Sequence, residues 1–222
     1  MLNLFFPHLC CGCDRRLLDG SMVLCVNCRS RLAICFPKNL NSNSFTKRFY
    51  GRLRLESGFS LLRFEPSNLC RDLIHQLKYK GKQQLGEFFG LWMASQLSDH
   101  TQKLQYDGIV PVPLSSARLR KRGYNQVDRF AEALGAALAV PVIKGGLIRT
   151  DKAKSSVSMG RSNRFEHTHT FEKSSKLQLE PGQHLLIVDD TITTGATLEA
   201  CAKVLLNQAS IRLSFATIAM TE

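Results

Sequence analysis

The stretch from Leu185 to Thr197 reads LLIVDDTITTGAT, and it decides how the chain folds. Its first four residues are apolar, the next two are the carboxylates Asp189 and Asp190, and a loop of hydroxyl-bearing and small residues follows. A short apolar run is typical of a buried parallel strand. Apolar residues at helical spacing begin at Leu198. The stretch therefore predicts a strand that carries two acids to the edge of a sheet, followed by a loop and a helix.

The loop in this stretch has the composition of a phosphate-binding site. Backbone N–H groups at a helix start attract anions, threonine hydroxyls add hydrogen bonds, and Gly195 allows close approach to the main chain. Two neighbouring carboxylates would repel a second phosphate, but they can accept hydrogen bonds from a diol. The combination predicts a site for a ribose 5-phosphate. The simpler alternative is a strand-to-helix turn with threonine caps and a solvated acid pair.

A second candidate site is the cationic loop that follows a strand predicted at residues 108–112. The loop carries four cations and leads to a helix start at which Asn125 and Asp128 have the spacing of a capping box. These features suit a pyrophosphate. Residues 112–164 hold eleven Lys and Arg against three acids, so most of the net charge lies here. A solvated cationic face explains the same residues equally well.

Strands and helices alternate from about residue 58 to residue 222. Besides the two strands above, apolar runs predict strands at 59–64, 140–143 and 213–219, and helical spacing predicts helices at about 69–77, 84–97 and 127–138. This alternation predicts an α/β fold with a doubly wound parallel sheet, whose ligands bind beyond the carboxyl ends of the strands.

Five of the eight cysteines lie in the first 28 residues, and four of them form two C-x-x-C pairs. Zinc binds four thiolates in a tetrahedron, and each C-x-x-C turn brings two of them to one ion. The pairs therefore predict a structural Zn²⁺ site. Its four ligands are Cys10, Cys13, Cys25 and Cys28. Two alternatives stay open, namely Cys11 in place of Cys10, and unliganded core or redox thiols.

Composition limits the class of protein. The chain has 222 residues, 44% of them hydrophobic and 22% charged, as is ordinary for a globular protein. The sequence holds no apolar run near the roughly 20 residues that a transmembrane helix needs, and its start lacks the basic lead and length of a secretory signal. We therefore expect a cytoplasmic protein without membrane insertion. Its formal net charge of +12 favours phosphate-bearing partners.

These features divide the chain into three parts. Residues 1–35 form a zinc-binding knuckle, residues 36–57 a basic linker, and residues 58–222 the α/β domain. The knuckle is too small to fold on apolar burial alone, so the metal would supply part of its folding free energy.

The run from Val188 to Thr197 resembles the phosphoribosyl pyrophosphate (PRPP) motif of type I phosphoribosyltransferases. In that family the paired acids hold the ribose 2- and 3-hydroxyls, and the Thr-Thr-Gly-x-Thr segment binds the 5-phosphate. The resemblance implies that Asp189 and Asp190 hold the diol as the catalytic pair. The other PRPP-binding residues that it implies are Thr191, Thr193, Thr194, Gly195, Ala196 and Thr197 around the phosphate, and Ser115, Ser116, Arg118, Arg120, Lys121 and Arg122 in the pyrophosphate loop.

The chain as a whole resembles the narrower ComF family, phosphoribosyltransferase-like proteins linked to natural competence and DNA utilisation. The resemblance rests on the four-cysteine knuckle, the run LKYKG at 77–81, the run RGYNQ at 122–126 and the PRPP motif. It covers nearly the whole chain but departs from the family's pattern at residues 152–171. Within this stretch, the basic segment at 152–164 could fold over the site.

The ComF resemblance implies a type I phosphoribosyltransferase-like fold and an activity in DNA uptake or utilisation. With Mg²⁺ bound to PRPP, a nitrogen acceptor would displace pyrophosphate from C1 of the ribose. The alternative is a non-catalytic module that senses PRPP and acts with single-stranded DNA and competence proteins. Such a module would contact DNA through the knuckle, the cationic loop and the linker, whose aromatic residues are Phe45, Phe49 and Tyr50.

Overall fold

The computed structural model describes residues 8–17, 23–65, 68–98, 104–150 and 170–221. Its strands are β1 (Ser57–Arg63), β2 (Gly108–Pro111), β3 (Leu147–Thr150), β4 (Thr170–Lys173), β5 (His184–Ile192) and β6 (Arg212–Met220). Four of them form a parallel sheet in the order β1-β6-β5-β2, and β3 and β4 form a separate antiparallel pair. The predicted α/β fold with a parallel sheet is confirmed.

Helices lie on both faces of the four-stranded sheet. They are α1 (Val26–Ser30), α2 (Ser44–Lys47), α3 (Leu69–Tyr79), α4 (Gln84–Leu97), α5 (Ser116–Arg122), α6 (Asp128–Leu138) and α7 (Ala196–Leu206). Helices α3, α4 and α6 pack with Leu186 and Val188 of β5 in one apolar core. Helix α7 packs with Leu185 and Ile187 on the other face. Because successive strand residues point to opposite faces, β5 is buried on both sides, as the predicted doubly wound arrangement requires.

The carboxyl ends of the four parallel strands meet at one edge of the sheet. Strand β5 is longer than predicted, since β6 pairs with it as far as Ile192. Asp189 and Asp190 therefore lie inside the strand rather than just after it. Helix α7 begins at Ala196, slightly before the predicted start at Leu198.

The strand predicted at 140–143 is wrong in extent. This segment pairs with β2 through a single bridge between Ile109 and Val142. It lies between two left-handed residues, Ala139 at the end of α6 and Gly145 in the following turn, so it is too short for a longer ladder.

The capping box predicted at Asn125 and Asp128 is also wrong. Helix α6 begins at Asp128 itself, with Val127 in the N-cap position and without a side-chain cap. The side chain of Asn125 instead donates to the carbonyl of Val112 at 3.0 Å, which ties the start of α6 to the end of β2.

Part of the segment predicted as a basic linker is folded against the sheet. Asn43 caps α2 in a capping box with Thr46, and its amide donates to the carbonyl of Gly58 at 2.9 Å. Phe45 and Phe49 are almost fully buried in the core shared with α7. Two apolar residues four positions apart anchor the segment. Its basic residues Lys47 and Arg52 are exposed, whereas Arg48 is half-buried. The division of the chain into three parts stays a prediction.

The cysteine knuckle packs directly on α3. Its Cys10 and Leu24 belong to the same apolar core as Leu73 of that helix. The side chain of Gln76, also on α3, donates to the carbonyl of Cys11 at 2.7 Å. Among the described residues, none of the helices is long and apolar enough to cross a bilayer.

Candidate functional site

Asp189 and Asp190 lie at the carboxyl edge of the sheet in its second-to-last strand, β5. Both are buried, with 9% and 3% of their surface exposed. The backbone N–H of Asp190 donates to the Oδ1 atom of Asp189 at 2.7 Å, which fixes the first carboxylate against the strand. Two buried acids at this position need partners, because an unpaired buried carboxylate is costly.

Three side chains surround the carboxylate of Asp190. The Nζ atom of Lys78 lies 2.7 Å from its Oδ1 atom, and the hydroxyl of Thr191 donates to the same oxygen at 2.7 Å. The amide of Gln126 donates to the Oδ2 atom. Neither Lys78 nor Gln126 is among the residues that the sequence predicts for the site. The runs LKYKG and RGYNQ, which contain these two residues, are the sequence features that could have pointed to them. No local pattern, however, predicts that either run lies beside the acids.

Asp189 has an unusual protonation equilibrium. Burial, together with the negative charge of Asp190, raises its pKa from 3.8 to about 8, and the positive charges of Lys78 and Arg149 offset only part of this rise. At neutral pH the carboxyl group of Asp189 therefore keeps its proton. It can then both donate and accept a hydrogen bond, which suits the vicinal hydroxyls of a ribose.

The predicted phosphate loop connects β5 to α7. Gly195 has the left-handed backbone angles φ +83° and ψ 0° and precedes the first residue of the helix, Ala196. Thr193, Thr194 and Ala196 are exposed, and Thr197 is half-buried. A helix start next to a left-handed glycine presents N–H groups and the positive end of the helix dipole to an anion. The loop therefore has the backbone geometry of an anion site.

A cleft of about 310 Å³ joins the acids to the phosphate loop and the cationic loop. Its lining includes both acids and Thr191, Thr193 and Thr197 from one side, and Arg118 and Arg122 from the other. Lys78, Tyr79, Gln126 and Arg149 complete its polar and aromatic walls.

The structure separates the six predicted residues of the pyrophosphate loop. Arg118 and Arg122 line the cleft, and the guanidinium of Arg122 also lies 4.9 Å above the ring of Tyr79. Ser115 is buried and caps α5 by accepting from the N–H of Arg118. Arg120 and Lys121 lie on the exposed surface of α5, and Ser116 lines a neighbouring cavity.

A second cavity of about 260 Å³ adjoins the cleft on the side of β1 and β6. The two share Lys78, Tyr79, Thr191 and Thr193. The remaining wall is largely aromatic and apolar. It consists of Phe64, Arg71, Ile74, His75 and Thr221, and the rings of His75 and Tyr79 lie 5.0 Å apart.

The four predicted zinc ligands form a candidate metal centre. The Sγ atoms of Cys10, Cys13, Cys25 and Cys28 all lie within 4.8 Å of one another, and those of Cys13 and Cys25 are 3.8 Å apart. A tetrahedral zinc site with Zn–S bonds of about 2.3 Å places its sulfurs about 3.8 Å apart, so this donor set fits Zn²⁺. Of the two cysteines left open by the sequence, Cys10 is the one in the cluster.

The environment of the cluster favours a thiolate at Cys10. Burial alone would raise its pKa, but N–H groups of Cys25 and Gly12 donate to its sulfur and bring the pKa down to about 7. Burial and the neighbouring cysteines raise the pKa of Cys28 far above its usual value. One thiol thus ionises readily, and the others would lose their protons when a metal ion binds.

The segment predicted to cover the site, residues 152–164, lies outside the described residues. Of the longer stretch at 152–171 that departs from the family's pattern, the structure describes the end in β4, where Phe171 is buried against the guanidinium of Arg149 at 5.6 Å.

A doubly wound sheet with an acid pair and a left-handed helix start at its carboxyl edge defines an α/β domain whose cleft lies where such folds bind their ligands. The model of the phosphoribosyl transferase domain family matches residues 107–220. The chain belongs to this family, and the resemblance to the ComF proteins is confirmed by its relatives.

Two curated relatives illustrate this. The chain is 24% identical over 201 residues to competence protein F of Haemophilus influenzae, covering 89% of this chain and 83% of that protein. It is 30% identical over 138 residues to the DNA utilization protein YhgH of Escherichia coli K12, covering 60% of each. Among solved structures, an adenine phosphoribosyltransferase is similar with a TM-score of 0.41 and 17% identity, covering 68% of this chain and 74% of the other.

Proposed function

We propose that this protein binds PRPP and transfers its phosphoribosyl group to a nitrogen acceptor with release of pyrophosphate, in a role connected with DNA uptake or utilisation. One observation carries the proposal. A buried acid pair, a phosphate loop and two arginines line a single cleft at the carboxyl edge of the sheet. In this assignment Asp189 and Asp190 hold the ribose diol, the loop at 193–197 holds the 5-phosphate, and Arg118 and Arg122 hold the pyrophosphate.

The order of the strands supports a direct displacement. Strand β5, which carries the acids, lies between β2 on one side and β6 on the other. The cationic loop follows β2, and the second cavity is lined by Phe64 after β1 and Thr221 after β6. A leaving group over α5 and an acceptor in the second cavity would then lie on opposite sides of the sugar. The C1–O bond to pyrophosphate breaks as the C1–N bond forms, and the acceptor nitrogen releases a proton.

Mg²⁺ is expected with PRPP, and the donor chemistry of the cleft fits such an ion. Carboxylate oxygens are the ligands that Mg²⁺ prefers, so Asp190 would hold the ion together with oxygens of the ligand, and Asp189 would join it on losing its proton. When bound, Mg²⁺ would neutralise charge on the leaving pyrophosphate. Lys78 balances the charge of Asp190, and the proton on Asp189 removes the second negative charge, so the acid pair does not repel the phosphates.

The zinc knuckle has a structural role in this proposal, because its sulfurs face one another and its backbone packs on α3. A site of four thiolates suits a reducing compartment, so we place the protein in the cytoplasm.

The test is release of pyrophosphate from Mg-PRPP with a panel of nucleobases as acceptors. We expect turnover with at least one acceptor and a loss of about tenfold or more in Arg118→Ala, because a charge-assisted hydrogen bond contributes about 1.5–3 kcal/mol. Arg129→Ala is the matched control, since Arg129 lies on the exposed surface of α6 and pairs with Glu132. Absence of pyrophosphate release with every acceptor would refute the catalytic assignment.

The second candidate function is a PRPP-sensing module that binds single-stranded DNA. The observation that favours it is α5, on which every residue is at least partly exposed and which carries four cations. Phe45 and Phe49 are buried and so are not free to stack on bases, whereas Tyr50 is exposed. In this case a labelled dT20 oligonucleotide should bind with an affinity that falls steeply with salt, and Lys121→Ala should weaken it.

A further inference from the structure

A segment distant in sequence, residues 48–52, forms hydrogen bonds to the backbone of the phosphate loop. The guanidinium of Arg48 donates to the carbonyl of Thr193, which lies 145 residues later in the chain, and also to the carbonyl of Thr221. The guanidinium of Arg52 donates to the carbonyl of Thr194 at 3.4 Å and forms an ion pair with Glu199 in the first turn of α7. Two successive carbonyls of the loop are therefore held by arginines.

Fixing these carbonyls also fixes the N–H groups that a ligand would meet. In a trans peptide the N–H of one residue points opposite to the C=O of the residue before it. The structure has no cis peptide among its described residues. The bond from Arg48 to Thr193 thus turns the N–H of Thr194 away from the arginines, and the bond from Arg52 to Thr194 does the same for Gly195. Successive N–H groups on one side form an anion-binding nest.

Phe49 lies between the two arginines in sequence, and its ring packs against the phosphate loop at Gly195. A Cβ atom at position 195 would lie 2.7 Å from its ring, so the glycine is in direct contact with the aromatic side chain. The ring is fully buried and packs edge-to-face on Phe215 at 5.0 Å. Arg52 lies over the same ring at 5.6 Å. The loop therefore rests on a buried apolar support, and one of the two arginines lies over its ring.

We propose that Arg48 and Arg52 are positioning residues of the phosphate site. They preorganise the amides of Thr194 and Gly195 toward a phosphate monoester and add positive charge behind it. The inference rests on the proposed function, in which that monoester is the 5-phosphate of PRPP. It makes part of the segment predicted as a linker a component of the ligand site.

The experiment compares two probes by titration calorimetry, ribose 5-phosphate for this loop and Mg-pyrophosphate for the cationic loop. Arg48→Ala should bind ribose 5-phosphate about tenfold more weakly and Mg-pyrophosphate within about twofold of the wild type. Lys47→Ala is the control, because it removes the same charge from the neighbouring exposed position of α2. It should leave both affinities unchanged. Arg48→Lys keeps the charge but reaches one carbonyl at a time, so we expect partial recovery.

The outcomes separate the inference from the function on which it rests. If the wild type does not bind ribose 5-phosphate, both are overturned. If the wild type binds it and Arg48→Ala binds it equally well, only the positioning role is overturned. An equal loss of affinity for both probes would mean that the substitution damages the fold as a whole, and it would also overturn the positioning role. If Arg48→Ala does not fold, Arg52→Ala tests the same positioning role, because the side chain of Arg52 is exposed. This variant should bind ribose 5-phosphate about threefold more weakly than the wild type.

Discussion

Replacing Asp189 by Asn should stabilise the protein at neutral pH. The pKa of Asp189 rises from 3.8 in the unfolded chain to about 8 in the fold, so folding at pH 7 requires this group to take up a proton. At about 1.4 kcal/mol per pH unit, the cost at pH 7 is at most about 4 kcal/mol. Asparagine needs no proton, and its carbonyl oxygen can still accept from the N–H of Asp190, as Asp189 does at 2.7 Å.

The sign of the pH dependence follows from the raised pKa. An acid of this kind contributes stability that is fully present below pH 3.8 and is lost as pH rises through about 8. Urea unfolding of the wild type and Asp189→Asn at pH 5.5, 6.5 and 7.5 should therefore show a difference that grows by about 1.4 kcal/mol per pH unit in favour of the variant. Ser60→Ala, which removes a buried uncharged hydroxyl from β1, should show a constant difference. A constant difference for Asp189→Asn would refute our account of the acid pair.

Other variants test the remaining parts of the site. Asp190→Asn should weaken binding of ribose 5-phosphate by tenfold or more in calorimetry, because it breaks the ion pair with Lys78, and unchanged affinity would contradict the diol assignment. Cys13→Ser should reduce zinc content from about one ion per chain to almost none by metal analysis and lower the melting temperature, whereas full zinc retention would remove Cys13 from the metal centre. Gly195→Ala should lower the free energy of unfolding by at least about 1–2 kcal/mol, because residue 195 has φ +83° and a Cβ would meet Phe49; an unchanged urea midpoint would contradict this contact.

Local features of the fold and site could be predicted because they lie close together in sequence. The acid pair, the loop and the start of α7 occupy one continuous stretch, and the spacing of the two C-x-x-C pairs was enough to predict their four-sulfur cluster. The parallel sheet followed from apolar runs that alternate with helical periodicity.

The parts that sequence reasoning missed depend on tertiary contacts. Lys78 reaches Asp190 from α3 and Gln126 reaches it from the turn just before α6, and only the packing of α3 and α6 on one face of the sheet brings them together. The role of residues 43–52 could not be predicted for a different reason. Its two buried phenylalanines are surrounded by basic and polar residues, so its composition resembles that of an exposed loop.

Helix α3 connects the metal centre to the cleft through side chains only two positions apart. Gln76 holds the backbone of the knuckle at Cys11, and Lys78 holds the acid pair at Asp190. A recombinant fragment trimmed to the family match at 107–220 would lose this helix and leave Asp190 without its ammonium partner. Biochemical work on that fragment would then measure a different cleft, and removal of a metal ion held by the cysteine cluster of the intact chain would loosen the same helix from its other end.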